Sequence, residues 1–362
     1  MNIAHLSIVD FRNFTQLSAN FSPTVNIFYG NNGAGKTNLL EALFVLCLGR
    51  SQRRAADIIL LRHGQEVYRL EGDIECRGRS STVAVAYQRG ARRKVTIDDI
   101  TVPITELYEA HAAVSLGPED GQILSGPPSG RRSFLDIYLS QYSCSYLSHL
   151  TDYQRALLQK NACLKADGDT TPFDSLMINH GAEVMAARQR FIDRMDDLAG
   201  DYYADIAGQS RLSLTYQPSF SVDGDGTDIK TIHQSFEAAL ARQRQRESLL
   251  KASLTGPHRD EIMFQIGDYP ARTHGSQGEC RTAAIALKLA VYCWLRDARK
   301  IKPVLLLDEV FAELDRQRSE ALMQSLGDFG QLFMTTAVEP PQSLRDRSRN
   351  FRIHQANIQD MS

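Results

Sequence analysis

The sequence has none of the features that mark secreted, membrane-spanning or zinc-binding proteins. No run of 18 apolar residues occurs in the chain, and residues 1–15 have no apolar core of a signal peptide. Six cysteines are present, but they form no C-x-x-C pair and no other metal-ligand spacing. We expect them to be reduced and buried, as in proteins of the cytoplasm. These absences predict a soluble, cytoplasmic protein with no membrane partner.

The chain also lacks a large charge of either sign and any internal repeat. Its formal net charge is −2, with 43% hydrophobic and 23% charged residues, an ordinary globular composition. Such a balance does not by itself indicate a nucleic-acid-binding protein, so any contact with DNA must come from local basic patches. Nothing repeats at a fixed period, and 362 residues leave room for two or three domains.

The most informative motif that is present is a phosphate-binding loop of the form G-x-x-x-x-G-K-[ST]. A predicted strand over 24–29 precedes it and a predicted buried helix over 38–46 follows, which is the context that such a loop requires. Lys36 would bridge phosphate oxygens and the hydroxyl of Thr37 would bind Mg²⁺, so ATP and Mg²⁺ are the expected cofactors. The predicted nucleotide-binding residues are Gly30, Asn31, Asn32, Gly33, Ala34, Gly35, Lys36 and Thr37.

A second motif, residues 304–309, is an apolar run that ends in two carboxylates. Four consecutive apolar residues suit a central parallel strand that is covered on both faces. Asp308, at the carboxyl end of this strand, would hold Mg²⁺ together with Thr37. Glu309 is placed to polarise the attacking water as a general base, so Glu309 and Lys36 are the predicted catalytic residues.

The two motifs are separated by most of the chain, although their strands should be neighbours in one sheet. We therefore predict an α/β ATPase head that is split by an insertion. The head would comprise 1–115 and 255–362, with an antiparallel β subdomain over about 67–102. The insertion, 116–254, shows apolar residues stepping by three and four, which predicts a mainly helical lobe.

A third motif, residues 275–279, is a small turn before a predicted helix over 281–296, and such a turn can bind an anion. ATPases of the ATP-binding-cassette (ABC) type place a turn of this kind on the γ-phosphate of the partner subunit's ATP. Ser276, Gln277 and Gly278 are therefore predicted to complete the nucleotide site of a second copy. Asp315 matches the loop that contacts the partner subunit in such ATPases.

Taken together, these motifs resemble those of the RecF family, which is related to Rad50 and SMC heads. The resemblance covers nearly the whole chain and rests on these segments: 10–14, the loop ending at Lys36 and Thr37, 118–120, 131–136, 255–260 and 276–282. It implies an ABC-type head with a helical arm, slow ATP hydrolysis and ATP-dependent dimerisation on DNA. It also implies cooperation with RecR and RecO in loading RecA at single-strand gaps.

The sequence departs from the family pattern in the third motif. Glu279 and Cys280 stand where the family usually has two glutamines, so the contacts of this turn need not follow the family's. Thr335 and Thr336 occupy the place where transporter ATPases usually carry a histidine. That threonine pair is similar to the RecF family and argues against a transporter subunit.

Three basic clusters are candidates for DNA contact: Arg50, Arg53 and Arg54; 89–94; and Arg131 with Arg132. Solvated surface is the favoured interpretation of any single cluster, and a cluster that binds DNA would contact backbone phosphates. The group at 50–54 is favoured because it follows the helix of the phosphate loop. Arg12 could reach the phosphates or form a structural salt bridge, and His258 and Arg259 suit a structural role better than a catalytic one.

Other functions remain open at this point. A Rad50-like or SMC-like DNA complex would need longer helices, and a nuclease-type ATPase would need a carboxylate-rich domain after the head. A transporter ATPase would need a surface for a membrane partner. A DNA-binding dimer that prefers duplex DNA or single-strand gaps accounts for the motifs best.

Overall fold

In the computed structural model, the structure is described for residues 1–208, 211–224, 226–313, 329–340 and 342–361. Within them the chain divides into two compact units, Met1–Asp120 with Val291–Ser362 and Gly121–Ala290. The predicted division into 1–115 with 255–362 and 116–254 stays a prediction. The observed units differ from it mainly in placing residues 255–290 with the helices.

The strands of the first unit form two sheets. In chain order its elements are β1 (Asn2–Phe11), β2 (Phe14–Asn20), β3 (Val25–Tyr29), α1 (Lys36–Leu48), α2 (Asp57–Leu60), β4 (Val67–Cys76), β5 (Arg79–Gln88), β6 (Lys94–Ile97), β7 (Ile100–Thr101), α3 (Ile104–Ala110) and β8 (Ala113–Leu116).

The remaining elements belong mainly to the second unit and then return to the first. They are α4 (Gln122–Ser125), α5 (Pro128–Tyr142), α6 (Cys144–Lys165), α7 (Thr171–Ala207), β9 (Leu212–Gln217), α8 (Ile229–Leu250), β10 (Glu261–Ile266), β11 (Tyr269–Pro270), α9 (Ala271–His274), α10 (Gln277–Arg299), β12 (Val304–Asp308), β13 (Leu332–Thr336), α11 (Gln342–Arg345), β14 (Arg349–His354) and β15 (Asn357–Asp360).

The antiparallel subdomain, predicted over about 67–102, is a sheet with the order β2-β1-β4-β5-β6-β7, so it also includes β1 and β2 from the start of the chain. Residues of β4 alternate between buried and exposed, because successive side chains of a strand point to opposite faces. Leu70 and Ile74 face the core on this pattern. The hairpin between β5 and β6 turns at Gly90, whose φ of 79° favours glycine.

The second sheet of the first unit has the order β15-β14-β3-β13-β12-β8, and all neighbours except β15 and β14 run parallel. All five residues of β12 are buried, as the apolar run predicts for a central strand. Helix α1 is likewise buried along almost its whole length. The carboxyl ends of β3, β12 and β13 therefore meet at one edge of the sheet, directly before α1.

The second unit contains the predicted helices. Helices α6, α7 and α8 pack around a cluster formed by Tyr153, Ala156, Met177, Ile178, Phe236 and Leu240. A Cβ at Gly181 would come within 2.6 Å of the Phe236 ring, so only glycine allows α7 and α8 to approach this closely. Strands β9, β10 and β11 form a small antiparallel sheet. Within the described residues, no helix is long and apolar enough to cross a membrane.

The parallel sheet with its flanking helices confirms the predicted α/β class. A mixed sheet, an antiparallel subdomain and a helical lobe were all predicted, and all are present.

Candidate nucleotide-binding site

The phosphate loop connects β3 to α1, and its glycines have backbone conformations that other residues rarely adopt. Gly30 has a φ of 150°, and a Cβ there would lie 2.2 Å from the carbonyl oxygen of Ile353. Gly35 has a φ of 114°, and a Cβ there would lie 2.8 Å from the Asn13 amide nitrogen. Substitution at either position would force the loop or its neighbour to move.

Lys36 begins α1 and is 3% exposed. Its ammonium group donates to the carbonyl oxygens of Gly30, at 2.8 Å, and Asn31, at 3.2 Å. It also forms an ion pair with Glu309, whose Oε1 lies 3.1 Å from Nζ. The predicted catalytic pair, Lys36 and Glu309, is therefore in direct contact.

Asp308 is buried at the end of β12, and two hydroxyl groups donate to its Oδ1. They belong to Thr37, at 3.1 Å, and Thr335, at 2.7 Å. Burial raises the pKa of the Asp308 carboxyl above its ordinary value, although both hydrogen bonds oppose the rise. A cation beside this carboxylate would offset the cost of ionising it.

Thr335 is a site residue whose role sequence reasoning missed. Its side chain is buried, and besides donating to Asp308 it accepts a hydrogen bond from the backbone N–H of Glu309, at 2.9 Å. Glu309 has a φ of 50°, so this bond holds a backbone conformation that is uncommon outside glycine. The available signal was the threonine pair at the end of a buried strand, which the sequence related to the RecF family without assigning Thr335 a contact in the site.

Asn13 and Asn38 are further residues that the motifs did not identify. Asn38 donates to the side-chain oxygen of Asn13, at 2.8 Å, which places the turn between β1 and β2 beside Gly35. The turn belongs to residues 10–14, one of the segments that carry the family resemblance.

The residues present fit a nucleotide with Mg²⁺. They surround an open cavity of about 240 Å³, lined by Asn32, Gly33, Gly35, Lys36, Thr37, Asn38 and Glu309. No side chain caps the N-terminus of α1 and its first turn has no acidic residue, so its N–H groups suit an anion. The described residues contain no cluster of three or more metal-ligating side chains, whereas Mg²⁺ typically takes one carboxylate with phosphate oxygens.

The predicted anion-binding turn lies in the second unit, at the start of α10. Ser276, Gln277 and Gly278 are exposed there, as a contact with a second copy requires. Cys280 is buried, and its burial and the nearby Glu279 raise the pKa of its thiol. Asp315, predicted to contact a partner subunit, lies outside the described residues.

Arg12 forms a structural salt bridge, one of the two roles predicted for it. Its guanidinium Nε and Nη2 donate to the two carboxylate oxygens of the buried Glu41 of α1, at 2.7 Å and 2.9 Å. Ser51 donates to the same carboxylate, at 2.5 Å. This network joins the first turn of the chain, α1 and the start of the basic segment 50–54.

The three basic clusters differ in how far their charges are already paired. Arg53 forms an ion pair with Glu119, and Arg131 is buried against Glu261. The side chains of Arg50 and Arg54 form no hydrogen bond or ion pair with the part of the chain that the structure describes. In the 89–94 cluster, two of the four cations are paired with described residues: Arg89 with Glu66 and Arg93 with Asp57.

His258 is packed inside the second unit. Its Nδ1 lies 2.6 Å from the hydroxyl oxygen of Tyr153, and burial lowers its pKa to about 4. This environment supports the structural role that was favoured for it. Arg259 likewise donates to the carbonyl oxygen of Ser253, at 3.1 Å.

The fold and the site together define an ABC-type P-loop ATPase head. The RecF/RecN/SMC N terminal domain family matches residues 2–359 of the chain. The DNA replication and repair protein RecF of Symbiobacterium thermophilum is 36% identical over 343 residues, which cover 92% of this chain and 91% of that protein. The protein therefore belongs to the RecF family.

Solved structures agree with this assignment. The recombination mediator protein RecF with ATP, described in the RecFOR pathway, is 25% identical and has a TM-score of 0.92, covering 100% of this chain and 98% of that chain. A Pyrococcus furiosus Smc head domain, bound to the C-terminal domain of ScpA, is 13% identical. Its TM-score is 0.55, with coverage of 100% and 96%, and this likeness shows the fold alone.

Proposed function

We propose that this protein is an ATP-dependent DNA-binding dimer that acts in recombinational gap repair and replication. The observation that carries the proposal is the convergence of Lys36, Thr37, Asp308 and Glu309 at one edge of the parallel sheet. Similarity to RecF with ATP in the RecFOR pathway supports ATP as the nucleotide, and RecR and RecO as partners. The proposed outcome is loading of RecA at single-strand gaps.

The four residues would divide the work at the site. ATP with Mg²⁺ supplies a γ-phosphoryl group that can be transferred to water. Lys36 has three donors, of which two are held by loop carbonyls and the third by Glu309. A phosphate oxygen would replace Glu309 on Lys36, which leaves the Glu309 carboxylate available to orient the water. Asp308 and Thr37 would hold Mg²⁺.

The site would be completed by a second copy of the chain. In a twofold-symmetric dimer, Ser276, Gln277 and Gly278 of each copy would bind the γ-phosphate held by the phosphate loop of the other. Two nucleotides would then be needed for one dimer. ATP binding would raise the fraction of protein in the dimer, and slow hydrolysis would let the two copies separate.

DNA would be bound through backbone phosphates by the basic segment that follows α1. Arg50 and Arg54 are the preferred contacts because their charges have no partner among the described residues, whereas Arg53 must exchange Glu119 for a phosphate. Such contacts predict affinity for duplex DNA and for the ends of gaps that falls as salt rises.

Ser276→Arg tests the dimer. The variant should bind ATP as the wild type does, because the phosphate loop is unchanged, yet it should fail to dimerise or to retain gapped DNA with ATP. Sedimentation with and without ATP, and gel shifts on gapped and fully duplex DNA, measure both. A variant that still dimerises with ATP would overturn the proposed sandwich, and Lys36→Arg, expected to weaken ATP binding or turnover, provides the complementary control.

A further inference from the structure

The anion-binding turn of α10 already holds an anion, the side chain of Glu279. Its Oε2 accepts a hydrogen bond from the backbone N–H of Ser276, at 2.9 Å, and another from the Ser276 hydroxyl, at 2.7 Å. In return, the N–H of Glu279 donates to the hydroxyl oxygen of Ser276, at 3.3 Å. This reciprocal arrangement is a capping box, which stabilises the start of a helix.

The carboxylate of Glu279 therefore uses the donors that a phosphate would need. The hydroxyl hydrogen of Ser276 and its N–H are both directed at one carboxylate oxygen. A γ-phosphate approaching Ser276 would have to displace that oxygen, and it would meet a second negative charge beside it. Coulomb repulsion between the two anions opposes their sharing one turn.

We propose that Glu279 is a built-in competitor of the γ-phosphate and that it weakens ATP-dependent pairing of two copies of this chain. The inference rests on the proposed function, because it assumes that Ser276 meets the nucleotide of a second copy. The dimer forms only when the capping box opens and the carboxylate turns away. Glu279 thereby sets the ATP and protein concentrations at which the switch operates.

The negative charge of Glu279 also affects the neighbouring thiol. The neighbouring Cys280 is buried, and Glu279 adds to the burial that raises the pKa of its thiol. A glutamine at position 279 would have the same length and could still close a capping box, since that motif accepts either residue at this position. Glu279→Gln therefore removes the charge and keeps the local structure.

The experiment compares the dissociation constant of the ATP-bound dimer between a protein that retains Glu279 and its Glu279→Gln variant. Sedimentation velocity is measured in saturating ATP and Mg²⁺, with hydrolysis slowed in both proteins by Glu309→Gln. Each of the two equivalent sites should gain roughly threefold, so the dissociation constant should fall about tenfold. Raising the salt concentration should shrink the difference, because salt screens the repulsion of exposed charges.

The matched control is Glu106→Gln. Glu106 is an exposed acidic residue in the first turn of α3, so its removal changes the net charge and one helix terminus in the same way. It should leave the dimer unchanged. Affinity of the monomer for ATP, and thermal stability without ATP, should be equal in all three proteins within the small effect of one exposed charge.

The outcomes separate this inference from the proposed function. If the protein with Glu279 dimerises with ATP and the Glu279→Gln variant dimerises with equal or weaker affinity, the role of Glu279 is overturned. The proposed dimer is unaffected by that result. A gain that Glu106→Gln reproduces, or one that salt does not reduce, also overturns it. If neither the wild type nor Glu279→Gln dimerises with ATP, the proposed function fails and this inference fails with it.

Discussion

Thr335→Val tests whether the buried hydroxyl of Thr335 organises the carboxylates of the site. Valine has nearly the same shape, but it removes both hydrogen bonds of the hydroxyl, to Asp308 at 2.7 Å and from the N–H of Glu309 at 2.9 Å. Thr37 would remain as the other hydroxyl on Asp308. The variant therefore separates the polar role of the side chain from its packing.

The size of the effect follows from these two bonds. A buried polar group left without its partner costs about 1–3 kcal/mol, so the variant should lose about 2–4 kcal/mol of folding stability. That loss corresponds to a fall in melting temperature of roughly 5–10 °C for a unit of this size. Affinity for Mg²⁺ with ATP should fall about tenfold, because one charge-assisted contact that orients Asp308 is lost.

The pH dependence has a definite sign. The pKa of Asp308 is raised by burial, so without a cation its stability contribution is present at low pH and is lost as pH rises through the raised pKa. Mg²⁺ needs the ionised carboxylate, so its stabilising effect should grow over the same rise in pH. The hydrogen bond from Thr335 lowers the pKa of Asp308, so removing the hydroxyl raises that pKa further. Stabilisation by Mg²⁺ should then appear at a higher pH than in the wild type.

Differential scanning fluorimetry with and without Mg²⁺ and ATP, from about pH 5 to about pH 8, measures both effects. Thr336→Val is the matched control, since among the described residues the Thr336 hydroxyl accepts only an exposed N–H, that of Val338, at 3.3 Å. Equal melting temperatures and equal Mg²⁺ dependence in the two variants would refute the assignment of Thr335.

Three further predictions concern the loop, the basic segment and the second unit. Gly30→Ala should lower ATP affinity at least tenfold, because its Cβ would lie 2.2 Å from the carbonyl oxygen of Ile353; isothermal titration measures this. Arg50→Ala with Arg54→Ala should leave ATP binding intact, weaken DNA binding and reduce the salt slope by up to about 2, as filter binding across salt concentrations reports. For His258, whose pKa is lowered to about 4, stability should fall as pH drops from about 6.5 to 4, by up to roughly 3 kcal/mol, and His258→Gln should remove that part of the acid sensitivity in denaturant titrations.

Each of these has a control in the chain. Gly90→Ala also introduces a Cβ at a positive φ, 79° against 150° at Gly30, but with no atom within 4 Å, so it should not change ATP affinity. Arg190→Ala removes an exposed cation of the second unit, and His63→Gln removes an exposed histidine. If Arg190→Ala weakened DNA binding as much as the Arg50 and Arg54 pair, segment 50–54 would not be the contact.

The sequence by itself determined the class of fold and the chemistry of the site. The loop at 30–37 and the run at 304–309 are local patterns, because a phosphate-binding turn and a buried parallel strand each depend on a few consecutive residues. The periodicity of the helices at 144–165 and 171–207 was likewise visible in the chain. These features were predictable because adjacent residues carry them.

Only the tertiary structure decided which side chains complete the site. Thr335 pairs with Asp308 because β12 and β13 are parallel neighbours in register, and no local pattern states that pairing. The binding of Arg12 to the buried Glu41 likewise depends on how β1 packs against α1. Long-range pairing and burial set these contacts and the pKa of Asp308, and both arise from the folded arrangement of distant segments.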